Sequence, residues 1–188
     1  MRAIFSRLAD LRAGRAARRR NAARLYAAVV KQSRLPDPFR DHGVPDSFDG
    51  RFDTLCLHVF LVARRLGREG AHGAEIARDL YDALFADMDQ TLREMGVGDL
   101  GVGRRVQQMA EALMGRAKAY GEALDAGDPK GLEMALRRNL YGTVDDNPSP
   151  QALAALAGYM RACDARLAAQ DFADLMAAGP DFARWEGA

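Results

Sequence analysis

The chain is short of the residues that most enzymes and most disulfide scaffolds depend on. It has two cysteines, Cys56 and Cys163, too far apart in sequence for a C-x-x-C pair. That excludes a disulfide framework or a zinc knuckle and fits a reducing compartment. There are three histidines, of which His42 and His72 fall in connectors and His58 in an apolar run. Cys56 and His58 are two apart, so on a helix their side chains diverge and form no Cys–His couple. The longest apolar run, "LCLHVFLVA" over 55–63, is well short of the roughly 20 residues that span a bilayer. No β-branched run alternates as a strand does, and no G-x-S-x-G, P-loop or H-E-x-x-H occurs.

Glycine is present in number, and one cluster raises a question. "EMGVGDLGVGRR", 94–105, contains a literal G-x-G-x-x-G. As a dinucleotide fingerprint the pattern must follow a strand. Here Ile76, Leu80, Leu84, Met88, Leu92 and Met95 precede it at steps of four and three, which is helical periodicity. The glycines therefore read as a helix-to-helix turn. Gly96 closes one helix in the left-handed region, and Asp99 or Gly101 begins the next. "DMDQTL" opens like a calcium loop, yet Leu92 and Gly98 stand where an EF-hand requires Gly and Glu. Asp87 with Glu94, and Asp82 with Asp89, fall on opposite edges of the apolar stripe, so these acids do not converge on one ion. No metal and no cofactor is expected.

What is abundant is helix. The chain is 48% hydrophobic, enough for a buried core. Helical patterns cover about 22–33, 50–66, 74–95, 103–125 and 129–141, and a last long helix starts behind the Ser149 cap and Pro150. The helix over 50–66 is apolar nearly all round and should be central. A proline-rich connector, "RLPDPFRDHGVPDSFDG", joins the first two of these helices. The expectation is an all-α, single-domain helical bundle of about six helices over residues 21–178. A basic amphipathic arm (1–20) precedes it and a tail (179–188) follows.

Charge is divided unevenly. Residues 1–34 hold ten Lys or Arg against the single acid Asp10, a net +9, while the chain as a whole is +1 and the remainder thus −8. In the arm Ile4, Phe5, Leu8 and Leu11 share one helical face, flanked by Arg7 and Arg12. That pattern suits peripheral contact with an anionic membrane. A solvated arginine-rich tail, an organellar transit segment and a nucleic-acid contact fit the charge too. Phe5 and Tyr26 are the only aromatics of residues 1–34 for stacking, and no specific nucleic-acid motif accompanies them.

Several blocks in order, "GVPDSFDGRFDTLCLHVFLVARRL", "LFADMDQTLREMGVGDLGVGRRV", "GRAKAYGEAL" and "RRNLYG", resemble the ubiquinol–cytochrome c chaperone family over about residues 25–159. Arg51, Phe52, Asp53 and His58 match its first block. Asp87, Asp89, Glu94, Gly96, Gly98, Asp99 and Leu100 match the second. Gly115, Arg116 and Tyr120 match the third, and Arg138 and Asn139 the fourth. Met114 stands where the family usually has an aromatic, a departure that concerns packing. The resemblance implies an all-α, non-enzymatic chaperone that binds newly synthesised cytochrome b and assists assembly of ubiquinol–cytochrome c reductase (respiratory complex III). It also implies a small partner subunit and the ribosome as partners, as in the mitochondrial members. In a bacterium the place implied is the cytoplasm, peripheral at the inner face of the cytoplasmic membrane; in a eukaryote it is the mitochondrial matrix. Composition leans towards a bacterial member. Two other classes stay open at this stage: an all-α enzyme acting on an isoprenoid or other lipid-like substrate, and a nucleic-acid-binding module working through the arm.

Overall fold

In the computed structural model, residues 2–142 and 148–185 are described, with side chains from residue 12 onward. Every regular element among them is a helix: α1 (Arg2–Ser33), α2 (Asp37–Arg40), α3 (Phe48–Gly67), α4 (Gly70–Glu94), α5 (Asp99–Asp125), α6 (Pro129–Leu140), α7 (Pro150–Ala169) and α8 (Phe172–Ala178). The bundle is all-α, as its periodicity requires. None of these helices is long and apolar enough to cross a membrane.

α3 is the axis of the fold. Ser47 caps it, its hydroxyl accepting from the Gly50 amide at 3.2 Å. Gly50 is needed there, because a Cβ would lie 2.0 Å from the Pro45 carbonyl oxygen. Residues 52–63 of α3 are all buried. Being apolar on every side, the helix serves two cores at once. Leu57, Phe60 and Leu61 join Tyr120 of α5, Leu132 and Leu136 of α6, and Met160 and Cys163 of α7. Leu55, Cys56, Val59 and Val62 join Leu25 and Val29 of α1 and Ile76, Leu80 and Leu84 of α4. Each fully buried Leu contributes about 1.5–3 kcal/mol of transfer free energy.

Four boundaries differ from the sequence expectation, the first being that of α4, which begins at Gly70 rather than near 74 and so holds His72 within the helix, not in a connector. α1 is one helix, not an arm followed by a separate helix at 22, since Ala and Arg are strong helix formers and no proline intervenes. Arg18, within the arm, pairs with Asp79 and Glu75 of α4, both at 2.6 Å. α5 begins at Asp99 rather than near 103, its glycines 101 and 103 included. The last helix breaks at Gln170, which is extended (φ −71°, ψ 129°). There the Gln170 backbone carbonyl accepts from Arg65 Nη2 at 2.9 Å, and the Gln170 side-chain Nε2 donates to the Gly179 carbonyl at 2.8 Å. The 180–185 segment returns to the bundle, where Trp185 stacks on Tyr159 with ring centroids 3.4 Å apart.

The arm face of Ile4, Phe5, Leu8 and Leu11, with Arg7, lies outside the residues whose side chains are described; Arg12 is exposed.

Candidate functional site

The glycine cluster forms the α4–α5 turn. Gly96 has φ +82°. Its amide donates to the Arg93 carbonyl (2.9 Å) and the Val97 amide to the Leu92 carbonyl (3.0 Å), the paired bonds of a Schellman cap. A helix precedes the G-x-G-x-x-G, and no strand occurs among the described residues, so the pattern is not a phosphate cradle. Two details depart from expectation. Gly98, not Asp99, occupies the N-cap of α5, and its φ of −65° is ordinary. Asp99 is instead the first residue of α5 and pairs with Arg93, which also holds Asp89 at 2.6 Å. This exposed network ties the end of α4 to the start of α5. Glu94 accepts from the Gln90 amide at 2.7 Å. At the tip Leu100 is 98% exposed and Met95 56%.

Asp87 faces the other way and accepts from the Tyr26 hydroxyl of α1 at 2.6 Å. With Val30, Arg34, Arg51 and Phe52 it lines a cleft of about 390 Å³. Arg51 sits at its edge, 2.6 Å from Asp46 and with its guanidinium over Phe39.

A second cleft, of about 580 Å³, runs along α5 between α3, the end of α4 and α6. Five motif residues gather on it: Phe52, Asp53, Arg116, Arg138 and Asn139. Arg116 Nη2 lies 2.5 Å from Asp53 Oδ1, the two side chains 17% and 5% exposed. The Arg116 guanidinium lies 5.9 Å from the Phe52 ring centroid. Burial lifts the Asp53 carboxyl to about 6, against the pull of Arg116 and with a further push from Asp49. Behind them Tyr120 is fully buried, edge-on to Phe60. Asp53 Oδ1, Arg116 Nε, Tyr120 OH and Asn139 Nδ2 are all buried without a directed hydrogen bond. The close Asp53–Arg116 contact is thus a charge pair, not a well-aligned hydrogen bond. Buried polar atoms are nearly always paired, so four orphans in one cluster mark this place out. Gly115 and Met114 lie on the outer, exposed side of α5; Met114 packs against no core.

His58 does not meet Cys56, nor does it reach Asp53. Its Nδ1 is 2.8 Å from the Thr54 carbonyl and its Nε2 2.8 Å from the Tyr159 hydroxyl. A carbonyl only accepts, so Nδ1 carries the proton and Nε2 accepts from Tyr159. Gln32 of α1 donates to the same hydroxyl at 2.9 Å. Burial pushes the imidazole down to about 4, so it is neutral and satisfied, a structural tie between α1, α3 and α7. Tyr159 and Gln32 carry no sequence signature and emerge only from the packing. Met109, Phe48 and Arg105, which line the large cleft, lack one too. Among the described residues no three His, Cys, Asp or Glu gather to hold a metal ion.

Comparison with known proteins gives consistent results. A family model described as "Ubiquinol-cytochrome C chaperone" matches residues 40–185. Ubiquinol-cytochrome-c reductase complex assembly factor 1 of Xenopus laevis is 27% identical over 158 residues, 84% of this chain and 78% of the frog protein. The mouse protein of that name is 26% identical over 164 residues, 87% of this chain, which spans about half (54%) of the mouse length. The crystal structure of the Cbp3 homolog from Brucella abortus superposes with a TM-score of 0.80 at 32% identity, covering 94% of this chain and 96% of that one.

Proposed function

The chain belongs to the ubiquinol-cytochrome C chaperone family, and we propose that it is a chaperone without catalytic activity that binds newly made cytochrome b and assists assembly of ubiquinol–cytochrome c reductase. The observation that carries this reading is the α4–α5 tip. Leu100, a motif residue, is almost wholly exposed beside exposed Met95, on a turn fixed by a Schellman cap and by the Arg93–Asp99 pair. An apolar tip ringed by charge and held rigid suits contact with an apolar client.

The protein works at the inner face of the cytoplasmic membrane in a bacterium, or in the matrix of a mitochondrion. The arginines of α1 supply the attraction to anionic lipid: Arg12, Arg15, Arg19 and Arg20 are exposed, and each basic side chain near such a surface is worth about 1 kcal/mol. A small partner subunit and the ribosome are the further partners that the family reading brings with it.

Deletion of the gene in its host, followed by spectral measurement of cytochrome b, tests the reading. Cytochrome b should fall, recover with the wild-type gene and recover poorly with a Leu100→Glu variant that folds normally. A deletion strain with normal cytochrome b would refute it. Removing residues 1–14, which spares Arg18 and its ion pairs, should weaken sedimentation with anionic liposomes and leave the melting temperature unchanged.

A further inference from the structure

We propose that the cleft along α5 binds an anionic amphiphile, its oxyanion head held at the Arg116–Arg138–Asn139 end and its apolar chain lying along Phe48, Phe52, Leu92 and Met109. The proposal does not depend on the chaperone reading.

Shape comes first. Arg105, Met109, Ala112 and Arg116 line the cleft at steps of four, three and four along α5, so they share one helical face. From Arg105 to Arg116 that face runs for about 16 Å at 1.5 Å per residue. The volume of about 580 Å³ lies within the usual range for ligand sites.

Chemistry then divides its length. At one end the available groups are donors. Arg116 Nε and Asn139 Nδ2 are buried without a directed hydrogen bond, with the Tyr120 hydroxyl beside Asn139. Arg138, next to Asn139, makes no ion pair among the described residues. Arg105 at the far end makes none either. Among the described residues that line the cleft, the carboxylates are Asp53, already paired with Arg116, and Asp49, exposed on α3. Two guanidiniums thus face one unpaired carboxylate. Planar guanidinium forks fit carboxylate and phosphate oxygens, and an oxyanion would give the orphaned donors the acceptor they lack.

The middle decides between a peptide and a lipid-like chain. Phe48, Phe52, Leu92, Met109 and Ala112 are apolar, Gln108 is the polar side chain that lines the cleft beside Met109, and the surrounding backbone is helical and satisfied within its own helices. An extended peptide laid along this stretch would bury a row of amides with the single Gln108 side chain beside them, leaving most of them unbonded. A hydrocarbon chain has no such requirement.

The test is calorimetric titration of the purified full chain with dodecyl phosphate and with laurate, both below micelle-forming concentration. Dodecyl maltoside serves as the same chain with a neutral head, and inorganic phosphate as the head alone. One saturable site is expected for at least one of the two oxyanion amphiphiles. The maltoside should bind at least about tenfold more weakly, as the loss of a charge-assisted hydrogen bond implies. Arg138→Gln, at an exposed position, should weaken the oxyanion amphiphiles to a similar degree at an unchanged melting temperature. Ala112→Met, checked for helicity, should narrow the cleft and weaken both chains. Either ranking of phosphate and laurate supports the proposal and names the source of the head. No binding, equal binding of the maltoside, equal binding of inorganic phosphate, or an Arg138→Gln variant of unchanged affinity would overturn it. Cytochrome b content plays no part in this assay, so its failure leaves the chaperone reading standing.

Discussion

Arg116→Gln is the most informative perturbation of the buried cluster. Asp53 is 5% exposed, and among the described residues Arg116 is its only close counter-charge, at 2.5 Å. Even so paired, Asp53 titrates near 6 rather than 3.8, because burial outweighs the arginine. A folded-state value above the unfolded one means that the native state holds its proton more tightly. Stability from this group is therefore full below about 3.8 and is lost as pH rises through about 6. Arg116 opposes that loss, so removing it moves the folded value higher still. At pH 8 the variant must either bury an uncompensated carboxylate or take up a proton against the solution. Breaking a buried pair in this way typically costs about 3–5 kcal/mol. At pH 5 Asp53 is mostly protonated, and the variant loses only the packing of the arginine stem. For a domain of this size about 1 kcal/mol corresponds to about 2–4 °C of melting temperature. Arg116→Gln should thus melt roughly 6–20 °C below the wild type at pH 8 and only a few degrees below it at pH 5. The double variant Asp53→Asn/Arg116→Gln should recover part of the pH 8 loss, since neither charge then remains. Equal losses at the two pH values would refute the electrostatic account and leave Arg116 as a packing residue.

Three further outcomes follow from the same geometry. Phe60→Ala should cost about 3–5 kcal/mol, because Phe60 is 6% exposed and packs edge-on against Tyr120; an unchanged melting temperature would show that α3 is not central. Gly96→Val should destabilise by about 1–2 kcal/mol through its φ of +82°, and Gly101→Ala by less, since Gly101 has no positive φ and a single side-chain atom, Val97 Cγ1, stands 3.1 Å from the added Cβ; denaturant midpoints of the pair decide this. His58 titrates near 4 instead of 6.5 because it is buried, so its contribution is complete above about 6.5 and is lost as pH falls towards 4; His58→Gln should flatten the fall in melting temperature across that window, and an unchanged slope would mean that another group carries it.

The sequence made the helices legible wherever one apolar stripe faces one core. α3, α5 and α6 end within a few residues of their expected places, since Ser47, Gly127 and Pro129 punctuate the chain locally. The helix break at Gln170 was not legible. It depends on a hydrogen bond from Arg65, 105 residues away, and nothing in the local periodicity records a distant donor. The same limit applies to the site. Asp53, Arg116, Tyr120 and Asn139 were each visible as members of motif blocks. Their meeting was not, because the blocks sit on α3, α5 and α6 and only the packing of Leu57, Phe60, Leu132 and Leu136 brings those helices together. His58 shows the converse. Its environment was half readable, a carbonyl partner being ordinary for a histidine on an apolar helix, while Tyr159 lies 101 positions on.

The motif residues thus separate by physical cost. Gly96, Asp89 and Asp99 shape and brace a turn at little expense, for their pairs are exposed and such pairs are worth about 1 kcal/mol or less. Asp53, Arg116, Tyr120 and Asn139 are expensive, with four buried polar atoms lacking directed bonds. Stability does not call for them, since a buried ion pair can often be exchanged for apolar side chains of similar volume at no loss. Asp53, Arg116 and Asn139 also lie on the wall of the cleft of about 580 Å³, not deep between two helices where specificity of packing would be their natural use. A polar group kept at that cost beside open space is better explained by what enters the space than by the fold. The distinction is measurable: replacing Asp53 and Arg116 together with Leu and Met should leave the melting temperature at pH 8 unchanged or raised. The same variant should lose binding of the oxyanion amphiphile. If it instead unfolds, the pair is a structural element and the cleft owes it only its shape.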